Sequence, residues 1–103
     1  MLNQLTKAMF AENLGTIFEL QLTPAQAVEL KLIELREGRS TPRQEQFALL
    51  FRGPLTTPLG QGLWHIRHDA LGQFDLFLVP VDRDAEGFYY EAVFNRLLPR
   101  IPS

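Results

Sequence analysis

The stretch that decides the fold is residues 47–95, in the second half of the chain. It contains four strand-like runs: LLFRGP (49–54), LWHIRH (63–68), FDLFLVPV (74–81) and YYEAVFN (89–95). Apolar residues recur at every second position in much of this stretch, which is typical of strands with one buried face. Short turns separate the runs, and parallel pairing would need long crossover helices that are absent. This half of the chain therefore predicts an antiparallel β domain.

The first half adds two strands, and alternation assigns the inward faces. Val28, Leu30 and Leu32 share one face, whereas Ile33 and Leu35 fall on the other, so either a bulge shifts the phase there or both faces are covered. The other inward sets that we expect are Phe18, Leu20 and Leu22, then Phe47, Leu49 and Phe51, and finally Tyr90, Ala92 and Phe94.

Polar and Pro- or Gly-containing segments predict the connections. Residues 36–46 are expected to form a surface loop, and residues 55–62 an irregular connection. Pro80 has no backbone donor, so it is expected at a strand end or on a sheet edge, followed by a turn at residues 81–87.

The chain begins with a pattern that predicts a short helix. Thr6 is the expected N-cap, Leu5 and Phe10 can form a hydrophobic staple, and Gly15 supplies the stop. We expect its apolar stripe, which includes Leu14, to plug one end or edge of the sheet.

Together these elements predict a mainly β fold: a six-stranded antiparallel barrel or sandwich with a short N-terminal helix. Alternation does not separate the barrel from the sandwich, because both produce the same pattern. Residues 1–96 are expected to form a single β domain with its N-terminal helix. Residues 97–103 form an extended apolar and Pro-rich tail.

Composition narrows the classes of function. The formal net charge is −2, with 10 basic and 12 acidic residues, so no basic excess points to nucleic acid. No cysteine is present, which removes disulfides and thiolate metal ligands. The opening residues lack a signal-peptide pattern, and no apolar stretch is long enough for a membrane span. The expected location is the cytoplasm, or a cytoplasmically assembled particle.

The polar residues predict no catalytic, cofactor or metal site. His65 and His68 are an odd number of strand positions apart, so they face opposite ways and cannot share one ion. Asp82, Asp84, Glu86 and Gly87 match part of a calcium loop, but its twelfth position holds Val93 rather than glutamate, so a solvated hairpin turn is expected. No serine lies at a strand-to-helix elbow.

Aromatic and apolar side chains give the one positive indication. A stacking face for single-stranded nucleic acid could use Trp64, Phe77, Tyr89 and Tyr90, but without a basic excess a core role is favoured. The faces opposite the inward sets carry more apolar residues than one solvated face usually does, which indicates an oligomer or partner surface. Those residues are Ile17, Ile33, Leu35, Leu50, Phe77, Val79 and Val93.

The segments FRGP (51–54), LGQGLWHIRHDALGQFDLFLVPV (59–81) and YYEAVFNR (89–96) resemble a small bacterial family described only as a domain of unknown function. The resemblance implies that members are encoded near phage-tail-collar-like fibre proteins, which suggests a partner class and no active-site residues.

The function we expect is that of a non-enzymatic protein-interaction or assembly protein without a cofactor, as a component or assembly factor of a phage-tail-like fibre system. The expected partner is a tail-fibre-like protein or a second copy of the chain. The alternatives are a small-molecule or sugar-binding barrel and, third, an unrecognised hydrolase. Predicted contact residues are Arg52, Gly53, Pro54, Trp64, Phe77, Tyr89, Leu97, Leu98 and Ile101.

Overall fold

The computed structural model describes residues 5–39 and 41–97. Leu98 and Ile101 of the predicted contact set lie outside these ranges. The described residues form one helix and six strands, as predicted. The elements are α1 (Lys7–Ala11), β1 (Ile17–Thr23), β2 (Gln26–Glu37), β3 (Gln44–Gly53), β4 (Gly62–His68), β5 (Gly72–Asp84) and β6 (Gly87–Leu97).

The strands close into an antiparallel barrel in the order β1-β2-β3-β6-β5-β4. The β3–β6 ladder is the longest and runs from Gln44 opposite Leu97 to Gly53 opposite Phe88. The barrel is closed by only two residue pairs between β1 and β4, Glu19 with Arg67 and Leu20 with Ile66. The β1–β4 ladder is therefore the shortest in the barrel.

Two long strands each change partner along their length. β2 pairs with β1 up to Lys31 and with β3 from Lys31 onwards. β5 pairs with β4 up to Leu78 and with β6 from Val79 onwards. Strands that pass from one layer to another in this way make the corners of a barrel built from two packed sheets. Of the two predicted alternatives, the closed barrel is therefore the one found, with β2 and β5 at its corners.

A bulge lies in each of these two strands. In β2, Leu32 pairs with Phe51 and Glu34 with Leu50, which leaves Ile33 as the extra residue. The bulge alternative is therefore confirmed, and beyond it Leu35 packs against the core. In an antiparallel pair, one extra residue bends the strand and restores the inward phase.

The second bulge lies within the turn that was predicted at residues 81–87, and that prediction was wrong about where the turn begins. β5 continues through Pro80 to Asp84, with Val81 as its extra residue, so the turn is only residues 85–86. The β4–β5 ladder has already ended at Gly62 opposite Leu78, so no β4 partner lies beside Pro80. Of the two predicted positions, the sheet edge is therefore the one found. The predicted loop 36–46 was likewise too long, because β2 ends at Glu37 and β3 begins at Gln44.

Helix α1 closes one end of the barrel, as predicted. The Thr6 hydroxyl caps the helix by accepting a hydrogen bond from the backbone N–H of Met9 at 3.1 Å. The Phe10 side chain is fully buried. Leu14, in contrast, is 46% exposed and does not belong to the packed stripe. The ring of Phe10 lies 5.4–6.3 Å, centroid to centroid, from those of Phe18, Phe47, Phe74 and Phe94.

The connection from β3 to β4 closes the opposite end. Leu59 is buried, and its backbone N–H donates to the hydroxyl of buried Tyr90 at 2.9 Å. Buried side chains from all six strands lie in the interior between the two plugs. The inward sets that alternation predicted for β1, β2, β3 and β6 belong to this core or pack against it. In the described part of the chain, no helix is long and apolar enough to cross a membrane.

Candidate interaction surfaces

A cross-strand pair of exposed apolar residues lies on the outer face of the barrel and includes one predicted contact residue. Leu63 on β4 lies directly opposite Phe77 on β5. Their exposed fractions are 67% and 50%. Since Ile66 and His68 face inward, alternation turns Leu63 outward. The sequence prediction included Phe77 and missed Leu63, although the odd spacing between Leu63 and Ile66 would have revealed its orientation.

Trp64, the neighbour of Leu63, has the opposite orientation. Its side chain is half-buried and packs against the core, and its indole N–H donates to the carbonyl of Gly60 at 3.1 Å. A contact role for Trp64 stays a prediction, but its packing gives it a role in the fold as well.

The other predicted outward apolar positions differ in exposure. Of the predicted excess, Ile17 and Val93 are exposed, with Val93 at 67%, and Leu35 packs against the core. Ile33, Leu50 and Val79 are half-buried.

A second surface collects three of the predicted contact residues. Arg52, Gly53 and Pro54 line a groove of about 470 Å³, which we call the FRGP groove. Its other lining residues include Ile17, Glu29, Lys31 and Glu86.

Three outward residues are aligned across the strands at this groove. Arg52 lies between Lys31 on β2 and Tyr89 on β6, directly opposite each in its ladder. The predicted contact residues Arg52 and Tyr89 are therefore neighbours. Leu97 is the last residue of β6, well along the strand from Tyr89.

Two glycines are closely packed near the groove, Gly87 at the β5–β6 turn and Gly53 against the core. A Cβ at Gly87 would overlap the carbonyl oxygen of Gly53 and would meet Cγ of Arg52 at 2.8 Å. A Cβ at Gly53 would lie 2.8 Å from Cδ2 of Leu30 and 3.2 Å from the ring of Tyr90. Both sites therefore require glycine for packing rather than for a positive φ.

Ionic and hydrogen-bonded contacts fix this turn. The guanidinium of Arg52 pairs with the carboxylate of Glu86 at 3.1 Å. The Asp84 carboxylate accepts hydrogen bonds from the backbone N–H of Glu86 at 2.8 Å and from the Tyr89 hydroxyl at 2.7 Å. The hydrogen bond with Tyr89 lowers the pKa of Asp84 and raises the pKa of Tyr89.

The acidic segment forms a hairpin turn, as predicted, although the turn itself is shorter than predicted. Asp84 uses its oxygens to hold the backbone of the turn, as an Asx-type side chain does. Across residues 5–39 and 41–97, no group of three or more His, Cys, Asp or Glu side chains could hold a metal ion.

The two histidines face opposite ways, as predicted. His68 is buried; its Nδ1 accepts hydrogen bonds from the backbone N–H groups of Ala70 and Leu71, at 3.0 and 3.2 Å. Its Nε2 therefore carries the proton and donates to Oγ1 of Thr16 at 2.8 Å. Burial lowers the pKa of His68.

His65 lies on the outer face, next to the Leu63–Phe77 pair. Its ring bonds to Asp75 through Nδ1 and to Gln73 through Nε2, both at 2.9 Å. The hydrogen bond with Asp75 raises the pKa of His65. The Asp75 side chain is 54% exposed, so this pair is accessible to solvent.

Comparison with known proteins identifies one match. Residues 5–94 match the model of a family described as a domain of unknown function, DUF6916. No curated protein and no solved structure matches the chain.

Proposed function

We propose that this chain, which belongs to the DUF6916 family of unknown function, is a non-enzymatic protein-interaction module that binds a partner through the outer face of β4 and β5. The observation that carries the proposal is the Leu63–Phe77 pair. Two large apolar side chains lie side by side and expose apolar surface. Burial of this surface by a partner would contribute favourable free energy to binding.

The surroundings of the pair also suit a protein interface. His65 and Asp75 form the next outward pair along the ladder, and Arg67 with Gln73 the one after. An apolar centre beside a polar rim is the usual anatomy of such interfaces. Aromatic side chains are enriched among the residues that contribute most to binding, which favours Phe77 as the main contact.

We further propose that the chain is a component or assembly factor of a phage-tail-like fibre system, with a tail-fibre-like protein as its partner. The support for this step is the resemblance of the FRGP, LFLVPV and YEAVFNR segments to a family encoded near fibre proteins. The fibre-system proposal can fail while the interaction role holds, because that role rests on the Leu63–Phe77 pair alone.

The filled interior favours a protein partner over a ligand held inside the barrel. Phe10, Phe18, Phe51, Leu78 and Tyr90 are all fully buried there. Barrels that hold a small ligand keep part of this space open, and sites for such ligands are concave and mostly apolar.

The test is affinity capture of the tagged protein from its native host, followed by mass spectrometry. The variant is Leu63→Asp, and the matched control is Val93→Asp, because both positions are outward strand residues that are 67% exposed. We expect a stoichiometric partner with the unmodified protein and the control, and its loss with Leu63→Asp. Equal capture by all three proteins would contradict the proposal. Fibre or tail-like proteins in the eluate would support the partner class, and unrelated proteins would remove it.

A further inference from the structure

Strand β2 has an open edge in the FRGP groove. The β2–β3 ladder begins only at Lys31, which pairs with Arg52, so in the part of the chain that the structure describes residues 26–30 have no β3 partner. On their other side, residues 27–31 pair with β1 in continuous register. The lining of the groove includes the first residues of this segment: Gln26, Ala27, Val28 and Glu29.

Backbone groups on this edge face the groove. The backbone N–H of Leu32 donates to the carbonyl of Thr16 at 3.1 Å, so the backbone of Leu32 is directed to the β1 side. Successive strand residues direct their backbone groups to alternate sides, so Ala27 and Glu29 direct theirs away from β1 and into the groove. No residue of the ranges 5–39 and 41–97 makes a backbone hydrogen bond to them on that side.

The sequence of β3 explains why the ladder stops here. In the register that pairs Lys31 with Arg52, two further residues would place Pro54 opposite Glu29. Proline has no backbone N–H and cannot donate to the Glu29 carbonyl. β3 accordingly ends at Gly53, and Pro54 and Glu29 line the groove instead of pairing.

The barrel has another open edge, and that one carries features that prevent pairing. Within the residues described, β5 is unpaired on its β4 side beyond Leu78, and there it contains a proline, a bulge and three charged residues: Pro80, Val81, Asp82, Arg83 and Asp84. Such features keep edge strands from pairing with other chains. Residues 26–30 contain no proline and a single charged residue, Glu29. The β2 edge is therefore able to accept another strand.

The charges around the groove select no charged occupant. Glu29 and Glu86 balance Lys31 and Arg52, and Arg52 pairs with Glu86 at 3.1 Å. The groove instead offers backbone donors and acceptors at every second residue of β2. An extended polypeptide presents the complementary groups at the same spacing, and a single segment enters a concave groove more readily than the edge of a second folded barrel.

We infer that an extended segment of a protein partner adds to β2 as an antiparallel strand in the FRGP groove, bonded to the backbone of Ala27 and Glu29. In strand addition, main-chain hydrogen bonds supply affinity and the neighbouring side-chain sites supply specificity. This inference deepens the proposed function and rests on it, because it gives the partner an extended segment and a second place of contact.

Hydrogen exchange of the free, ¹⁵N-labelled full-length protein tests the open edge itself. We expect the backbone amides of Ala27 and Glu29 to exchange roughly tenfold or more faster than those of Val28 and Leu30, which face β1. Equal protection of all four amides would overturn the inference. Protection of Ala27 and Glu29 that appears only at high protein concentration would place a second copy on the edge, and would overturn the assignment to a partner.

Titration with the uncharged, blocked peptide Ac-Thr-Val-Thr-Val-Thr-NH₂ tests strand addition. The control peptide has the same sequence with the backbone nitrogens of its three central residues methylated, so it keeps the side chains and loses the donors of both strand edges. We expect the first peptide to protect the amides of Ala27 and Glu29. The methylated peptide should bind roughly tenfold more weakly or worse, because hydrogen bonds to the β2 edge are lost.

A pair of variants at one position separates backbone from side chain. Glu29→Pro removes the N–H that faces the groove and no hydrogen bond to β1, and proline is tolerated on such an edge. Glu29→Thr is the matched control, because it loses the same carboxylate and keeps the N–H. We expect Glu29→Pro to abolish peptide binding and Glu29→Thr to change the affinity by about threefold or less, since an exposed charge contributes little.

The inference fails if both peptides bind equally well, or if neither protects Ala27 and Glu29 at millimolar concentration. Equal affinity of the two Glu29 variants for the first peptide also contradicts it, and if Glu29→Pro does not fold, the methylated peptide decides. The titration reports on the β2 edge, and partner capture with Leu63→Asp reports on the apolar pair. The proposed function and this inference can therefore fail separately.

Discussion

Leu63 and Phe77 face each other across the β4–β5 ladder on the outside of the barrel, with 67% and 50% of their surfaces exposed. Side chains this accessible contribute little burial to folding. The proposed function assigns them to contact with another molecule.

Aspartate in place of either residue should leave the fold intact. We expect Leu63→Asp and Phe77→Asp to change the free energy of unfolding by about 1 kcal/mol or less, the span of strand propensities. Leu78→Asp is the contrasting control, because Leu78 is fully buried and an uncompensated charge there should unfold the protein. Chemical denaturation measures all three. Unfolding of the two outer-face variants would mean that the pair is part of the core.

The two adjacent tyrosines should respond differently to loss of the hydroxyl. Tyr90→Phe leaves the buried N–H of Leu59 without an acceptor, at a cost of about 1–3 kcal/mol. Tyr89→Phe removes a hydrogen bond at the surface and should cost about 0.5 kcal/mol or less. Equal losses in urea denaturation would show that the Leu59 contact does not hold the β3–β4 connection in place.

The glycines at the FRGP groove should not tolerate a methyl group. Gly53→Ala pushes against Leu30 and Tyr90, for which we expect a loss of about 1–3 kcal/mol. Gly87→Ala meets backbone and should cost more. Gly60→Ala is the matched control, since nothing lies within 4 Å of its Cβ position. Thermal denaturation of the three variants gives the order, and a neutral Gly53→Ala would contradict this packing.

The two histidines should give opposite pH dependences of stability. The pKa of His68 is below 6.5 in the folded state, so at mildly acidic pH the unfolded chain binds more protons and stability rises as the pH rises towards 6.5. The pKa of His65 is above 6.5, so its contribution is complete below 6.5 and is lost as the pH rises through the folded pKa.

NMR titration of the two imidazoles tests this assignment directly. We expect His65→Gln to abolish the titration with the higher pKa and to leave a stability that only rises between about pH 5 and 7. If the imidazole that remains in the His65→Gln variant titrates with a pKa above 6.5, the two pKa values have been assigned to the wrong rings.

Alternation was sufficient to predict most strand faces. Phe18, Leu20, Phe47, Leu49 and Phe51 are buried as expected, because each strand has one face against the core. The pattern also located the β2 bulge, since Ile33 breaks the phase of Val28 to Leu32. It could not separate this bulge from a strand covered on both faces.

Features that depend on pairing were not predictable in the same way. The strand that continues through Pro80 was missed, because tolerance of proline there depends on the β4–β5 ladder ending at the pair of Gly62 and Leu78. The Lys31–Arg52 relation was missed too, since only the β2–β3 register places these residues opposite each other. The pairing of β1 with β4 closes the barrel, and the alternation of apolar residues along a strand does not reveal that pairing.

The central claim, that the outer face of β4 and β5 contacts a protein, is tested most directly by photocrosslinking in the native host. A photoreactive benzoylphenylalanine is placed at position 77, and in a control chain at position 93, which is also outward and exposed. We predict one discrete crosslinked protein from position 77 that is absent from position 93 and is lost when Leu63→Asp is added. No adduct from position 77 beyond that from position 93 would contradict the account.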